Sequence, residues 1–340
     1  MQTKRSNSLL LLLLILAMVL AVADLSLGSV VIPMRDVLKS LTGQGAGKST
    51  WEYIVLNYRL PKTITAILTG AGLSTCGLLM QTLFRNPLAG PYVLGLSSGS
   101  SLGVALVILG AAWLPQSWNL FSEMSLVVAS LAGSFVVLMA VLAVSQKLRD
   151  TMSILIVGLM FGSFTSAFVS ILTYFSSAEQ LQKFTFWSMG NLGNLSWNSL
   201  ATLACCVCIG LILTVFCIKS LDALLLGENY ARSLGINYPK TQTIIIIATS
   251  ILAGSITAFT GPIAFIGLAV PHIARLIFKT SQHRILFWAT IILGAIIMLL
   301  CDILSQPPGT DLMLPINAIT SIIGAPVVIW LLLQPAQRRH

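Results

Sequence analysis

Nine apolar runs of membrane-span length divide this chain and leave very little from which to build a water-facing surface. They fall at residues 9–28, 63–82, 92–112, 124–145, 152–175, 199–218, 242–260, 285–304 and 315–333. A helix crossing the hydrocarbon core needs about 20 apolar residues. Such a helix satisfies its own backbone groups, so lipid tolerates its apolar exterior. The stretch 262–277 is also apolar and opens with Gly261-Pro262, a pair that should break the neutral run 241–274 into a full span and a shorter one. Only 9% of the 340 residues are charged, against about 25% in soluble globules, so a water-soluble body and a disordered chain are both excluded. The expected fold is an all-α polytopic membrane bundle of about ten helices, with residues 1–340 forming a single transmembrane domain.

The basic residues set an expected orientation. With the N-terminus inside, cytoplasmic segments hold 13 of the 19 Lys and Arg residues, among them Lys147, Arg149, Arg338 and Arg339. Outer segments hold Arg35, Lys39, Lys48, Arg59, Lys62 and Lys183. This bias places both termini in the cytoplasm and favours an even number of spans. The net charge of +9 is therefore a topology signal, and its scatter over short loops argues against nucleic acid as a partner. Lys4-Arg5, the Leu-rich run and Ala21-Val22-Ala23 resemble a signal peptide. The charge bias favours an uncleaved first span.

Several motifs invite chemistry and do not sustain it. Residues 42–50 (TGQGAGKST) resemble a nucleotide-binding loop, but Thr42 stands where the first Gly belongs and no buried strand precedes it. We read it as a flexible outer loop. Cys205-x-x-Cys208 lies inside an apolar span, where Cys behaves as a small hydrophobe. No catalytic constellation appears, so no cofactor is expected on this chain and no enzyme activity of its own. His272 follows Pro271 in the short segment, and His283 is expected in a cytoplasmic loop. Asp302 lies near the outer end of its span. An ionisable residue there is a functional candidate or the partner of a neighbouring helix.

Two blocks carry more information. In residues 59–103, Gly70, Ala71, Gly72, Ser74 and Gly77 let helix backbones approach closely. Gln81 and the turn Arg85-Asn86-Pro87 close that span. Gly95, Ser97, Ser98, Gly99, Ser100 and Gly103 then form a small, weakly polar face that either packs or lines a path. The second block, the cytoplasmic loop 221–240, holds two short helical patterns broken at Gly227 and Gly235. Leu221, Leu224, Leu225, Leu226, Ala231 and Leu234 should form an exposed apolar patch, which marks a partner surface.

On these residues the chain resembles the FecCD or BtuC-like family, the permease subunits of ATP-binding-cassette importers for iron–siderophore complexes, haem and cobalamin. The resemblance rests on RLPK (59–62), Gly70-Ala71, Gly77, Gln81, RNPLAGP (85–91) with Asn86 and Pro87, and Gly95. It continues with LGExxAxxLG (226–235), GPIAFIGLAVPHIAR (261–275), Gly294-Ala295, Asp302, Leu314-Pro315 and Gly324-Ala325-Pro326.

The resemblance implies two permease copies, a homodimer or two homologues, with the path between them and span 152–175 lining it. It implies that Leu226, Gly227, Glu228, Ala231, Leu234 and Gly235 couple to a separate ATPase subunit, which alone binds ATP. A periplasmic binding protein would deliver a metal chelate, with an iron–siderophore favoured, and would dock on Arg59 and Lys62. Gln81, Asn86, Pro87, Gly95, Gly261, Pro262, Pro271, His272 and Asp302 would belong to the path and its signatures. The location would be the bacterial inner membrane. Gln306, Met313 and Asn317 replace a basic residue, a Glu and a Gly usual in the family. An ion-coupled secondary transporter is the alternative. It would need intramembrane carboxylates, for which Asp302 is the clear candidate, and would leave the 221–235 patch without a purpose.

Overall fold

The computed structural model describes residues 2–45, 47–110, 123–145, 151–193, 195–310 and 312–333. Lys147, Arg149, Arg338 and Arg339, counted above for orientation, lie outside them. Every regular element among the described residues is helical. The first four helices are α1 (Gln2–Ser26), α2 (Met34–Leu41), α3 (Ser49–Ile54) and α4 (Leu60–Leu83). Then come α5 (Leu96–Ile108), α6 (Glu123–Ser145), α7 (Thr151–Tyr174), α8 (Ala178–Ser188) and α9 (Trp197–Leu224). The last five are α10 (Glu228–Ser233), α11 (Tyr238–Thr260), α12 (Ile266–Phe278), α13 (His283–Ser305) and α14 (Ile316–Leu333).

Seven helical segments among the described residues are long and apolar enough to cross a membrane, and the shorter apolar helices Leu96–Ile108, Ile266–Phe278 and Ile316–Trp330 account for the remaining expected spans. Together they give the bundle of about ten helices that the sequence implies, and run 315–333 forms the 18-residue α14. Run 92–112 is shorter as a helix because a 3-10 turn over Pro91–Leu94 and left-handed Gly95 precede it. Run 63–82 is longer, being part of a continuous helical segment Ser49–Leu83 with a π-helical turn at Val55–Arg59. His283 is the buried first residue of α13 rather than a loop residue, because Gln282 already caps that helix in extended geometry.

The chain packs as two compact units. One comprises residues 1–75, 191–205 and 263–340, the other residues 76–190 and 206–262. In the first, Gly70 and Gly294 let α4 and α13 touch backbone to backbone. A Cβ at Gly70 would stand 2.1 Å from the Gly294 carbonyl oxygen. Ser74 Oγ donates to the Thr290 carbonyl at 2.8 Å across the same contact. Beside the end of α1, Leu25, Ile32, Val37 and Val55 form a small buried cluster. Phe265 adopts left-handed backbone just ahead of α12. The Ala264 N–H next to it donates to Asn317 Oδ1 at 3.0 Å. Asn317 thus closes the strained entry to α12.

In the second unit α5 lies directly on α6. A Cβ at Gly103 would come within 2.0 Å of the Ala129 carbonyl oxygen, and one at Gly99 within 2.7 Å of that of Gly133. The Gly99–Gly103 edge of the weakly polar face is thus a packing surface, and Ser100 hydrogen-bonds Ser134 across it. The short helix α8 begins with a capping box between Ser177 and Gln180. Phe184 and Trp187 of α8 pack on the buried Val104–Ile108 cluster. Lys183 donates to Glu179 Oε1 at 2.8 Å one turn earlier, which holds that carboxyl below its ordinary range. Gly261 closes α11 with φ +74°, and a Cβ there would meet the Trp187 carbonyl oxygen at 2.6 Å. Only glycine fits both constraints.

Candidate functional site

The first unit gathers a charged cluster where the ends of α1 and α13 meet the start of α4. Asp302 is 1% exposed and pairs with Lys62, whose Nζ stands 3.0 Å from Oδ1. The same ammonium donates to Gln306 Oε1 at 3.2 Å. Asp24, also buried, accepts from Thr63 Oγ1 at 2.6 Å. Ser305 Oγ donates to Asp302 Oδ1 at 3.3 Å, while Asp302 Oδ2 is buried with no hydrogen-bond partner among the described residues. Asp24, Arg59, Lys62, Asp302 and Gln306 line a cavity of about 20 Å³, the room of roughly one water.

Arg59 faces this cluster but spends its donors on backbone. Nη1 donates to the Leu25 and Ser26 carbonyls at 2.8 and 2.9 Å, and Nη2 donates to the Val30 carbonyl. The Leu25 and Ser26 carbonyls belong to the last turn of α1, where helical partners are missing. Gly28 leaves the space for the guanidinium, since a Cβ there would lie 2.9 Å from Nη2. Arg59 therefore clamps the end of α1, and Lys62 joins α4 to α13. The resemblance implies docking on Arg59 and Lys62 and a place in the path for Asp302; the fold brings all three together, with Asp302 the partner of a neighbouring helix, the other reading its position allows. Sequence reasoning missed Asp24, although a carboxylate inside the apolar run 9–28 was itself a signal. Gln306 is the second of Lys62's partners, while Met313 is 69% exposed.

The second unit holds the 221–240 loop. Gly227 (φ +105°) and Gly235 (φ +81°) both need left-handed backbone, so glycine brackets α10 on each side. Ala231 is fully buried, and the Ile236 N–H returns to its carbonyl at 3.1 Å. Glu228 and Arg232 pair one turn apart at 2.6 Å, and the Arg232 guanidinium lies 5.8 Å from the Tyr238 ring centroid. The apolar patch differs from the expected one. Leu221, Leu224 and Ala231 face inward, because α9 runs on to Leu224 and packs its last turn. The exposed residues are Leu226 (63%), Leu234 (58%) and Tyr230 (51%), with Leu225 at their edge. Arg85 stands beside this knuckle, since a Cβ at Gly227 would lie 3.4 Å from its Nη1.

The signature residues are spread through both units. In the second, Gln81 is buried near the end of α4, and its carbonyl accepts the Asn86 N–H at 3.1 Å. Asn86 Oδ1 accepts the Leu88 N–H at 2.9 Å and so shapes the turn through the exposed Pro87. Gly95 is left-handed, and a Cβ there would meet the Gly158 carbonyl oxygen at 2.8 Å. Gly261 and Pro262 end this unit. In the first, Pro271 is buried inside α12 and His272 is half-buried beside it. Helix α7, the expected path-lining element, exposes Ile156, Met160, Phe164, Phe168 and Ile171 along one side. Residues 42–45, 47 and 48 lie outside any helix, with the Gly47 N–H bound to Asp36 Oδ1 at 3.1 Å and Lys48 stacked 4.9 Å over Trp51.

Comparison with known proteins bears on the same features. The FecCD transport family pattern matches residues 12–334. The hemin transport system permease protein HmuU of Yersinia pestis is 33% identical over 328 residues, covering 96% of each chain. The vitamin B12 import system permease protein BtuC of Salmonella typhi is 36% identical over 289 residues, covering 84% of this chain and 85% of its own. A solved structure described as an inward-facing conformation of a proposed metal-chelate type ABC transporter superposes with a TM-score of 0.84 at 28% identity. It covers 96% of this chain and 99% of that one.

Proposed function

Because the chain belongs to the FecCD transport family, we propose that it is the permease subunit of an ATP-binding-cassette importer carrying a metal chelate across the bacterial cytoplasmic membrane. The observation that carries this reading is the α10 knuckle. Tyr230 stands exposed on a six-residue helix, with Leu226 and Leu234 exposed just before and just after it; two left-handed glycines bracket this knuckle and buried Ala231 pins it. A free apolar knuckle of this kind, with a Glu228–Arg232 pair on its flank, suits insertion into a cleft on another protein. That partner would be the ATPase subunit, and ATP would be bound and hydrolysed there.

Two permease copies, most simply a homodimer, would enclose the path with their α7 flanks. A periplasmic binding protein would load it from outside, and both termini would lie in the cytoplasm. The relatives named for hemin and vitamin B12 transport support a large metal-containing substrate. An iron–siderophore is the favoured member, with haem and cobalamin as the other candidates.

The knuckle gives the test. Leu234→Asp puts a charge at the centre of the proposed contact and should abolish co-purification of the ATPase subunit, while the variant keeps its own thermal stability. Glu228→Lys should weaken coupling of hydrolysis to uptake. A Leu234→Asp protein that still recruits the ATPase and transports at the normal rate would show the docking assignment to be wrong.

A further inference from the structure

Helix α2 presents three faces, and only two are accounted for by the fold. Val37 and Ser40 face inward, with Val37 in the cluster of Leu25, Ile32 and Val55. Met34, Leu38 and Leu41, at positions i, i+4 and i+7, form a second, apolar face that is 50%, 49% and 39% exposed. Arg35 and Lys39 form a third, basic face alongside it. The acidic residue of the helix, Asp36, is taken up by the Gly47 N–H at 3.1 Å. An exposed apolar stripe beside a basic one is the pattern of a helix lying in a membrane surface.

Position selects the bilayer over other occupants. Through Leu25 the helix packs on the last turn of α1. Only 11% of the α1 span window is buried within the protein, and Leu11, Leu12, Met18 and Val19 stand open on it. An apolar helix so open within its own chain is one that lipid surrounds, so α2 sits where a lipid-facing span meets water. Tyr53 and Tyr58, exposed on the segment that also packs against α2, stack edge-to-face at 5.9 Å. Amphipathic aromatic rings mark the headgroup level.

We propose that α2 is an interfacial helix, with Met34, Leu38 and Leu41 inserted among acyl chains and Arg35 and Lys39 on the phosphates of anionic phospholipid. The helix would act as a brace, fixing the depth and tilt of α1 and the start of α4. This inference does not depend on what the protein transports.

The test uses the full chain in nanodiscs of phosphatidylcholine, with or without 30% phosphatidylglycerol. A nitroxide is placed on Leu38→Cys or on Arg35→Cys, in a background with Cys205, Cys206 and Cys208 replaced by Ala. Collision with oxygen and with a water-soluble nickel chelate is then measured. The ratio of oxygen to nickel accessibility at position 38 should exceed that at position 35 several-fold. Phosphatidylglycerol should raise it further, and Arg35→Gln/Lys39→Gln (with the label on Leu38→Cys) should remove that increment. Nickel-accessible Leu38→Cys would mean that the face looks into water and would overturn the proposal. Shielding from both reagents would mean a protein cover, a second copy or another partner, and would overturn it equally. Identical ratios with and without phosphatidylglycerol would overturn the phosphate contact.

Discussion

Replacing Lys62 by Met should destabilise the protein more than replacing Asp302 by Asn, because the two partners differ in what they leave behind. Lys62 is 18% exposed and retains Gln306 Oε1 and the nearby Asp24 carboxyl when Asp302 is neutralised. Asp302 is 1% exposed and retains the 3.3 Å contact from Ser305 and the neighbouring Asp24 carboxyl, but no cation of its own, when Lys62 is lost. Without that ammonium, Asp24 and Asp302 also face each other with less compensating charge. Removing one partner of a buried pair costs about 3–5 kcal/mol. The partial exposure of Lys62 places Lys62→Met near the lower end, at about 3 kcal/mol. Asp302→Asn loses a charged hydrogen bond but strands no carboxylate, for about 1.5 kcal/mol. At about 2 °C per kcal/mol for a chain of this size, the expected losses in melting temperature are roughly 6 and 3 °C. The double variant Lys62→Met/Asp302→Leu should recover most of the loss, since an apolar replacement of both partners is close to neutral. The assay is intrinsic tryptophan fluorescence during heating in detergent, at low and high salt, with little salt dependence expected for a buried pair. Additive single effects, or a Lys62→Met loss no larger than that of Asp302→Asn, would refute a closed cluster.

Two further substitutions probe close approaches. Gly70→Ala places a methyl 2.1 Å from the Gly294 carbonyl oxygen and 2.8 Å from Met298 Cβ, so α4 and α13 must separate. A loss of about 3 kcal/mol or more is expected, read as a fall in melting temperature and in yield of monodisperse protein. Gly261→Ala combines a left-handed backbone with a 2.6 Å clash on the Trp187 carbonyl. It should lower thermal stability, and transport should fall with it; an unchanged melting temperature would contradict the geometry.

The features legible in the sequence were those written in one stretch of chain. Apolar length gave the spans, and Gly261-Pro262 gave the break ahead of α12. Gly227 and Gly235 correctly bracketed a short helix. What could not be read was which side of an element faces in. Leu221 and Leu224 looked like part of an exposed patch because nothing local shows that α9 continues over them, while Tyr230 on the open face drew no notice. The charged cluster was missed for a related reason. Arg59 and Lys62 read as cations of an outer docking surface, and only the helix Ser49–Leu83 shows that they also lie against the ends of α1 and α13. Their partners Asp24, Asp302 and Gln306 are distant in sequence. Asn317 looked like a simple departure, yet its side chain accepts the Ala264 N–H, a contact no local pattern encodes.

Reconstituted uptake tests the central claim most directly. Proteoliposomes containing the chain, with and without the ATPase subunit and supplied with the binding protein, should take up a radiolabelled iron–siderophore, haem or cobalamin only when the ATPase subunit and ATP are both present. Uptake should vanish when a non-hydrolysable ATP analogue replaces ATP. Substrate accumulation by the chain alone, driven by a proton or sodium gradient, would contradict the account.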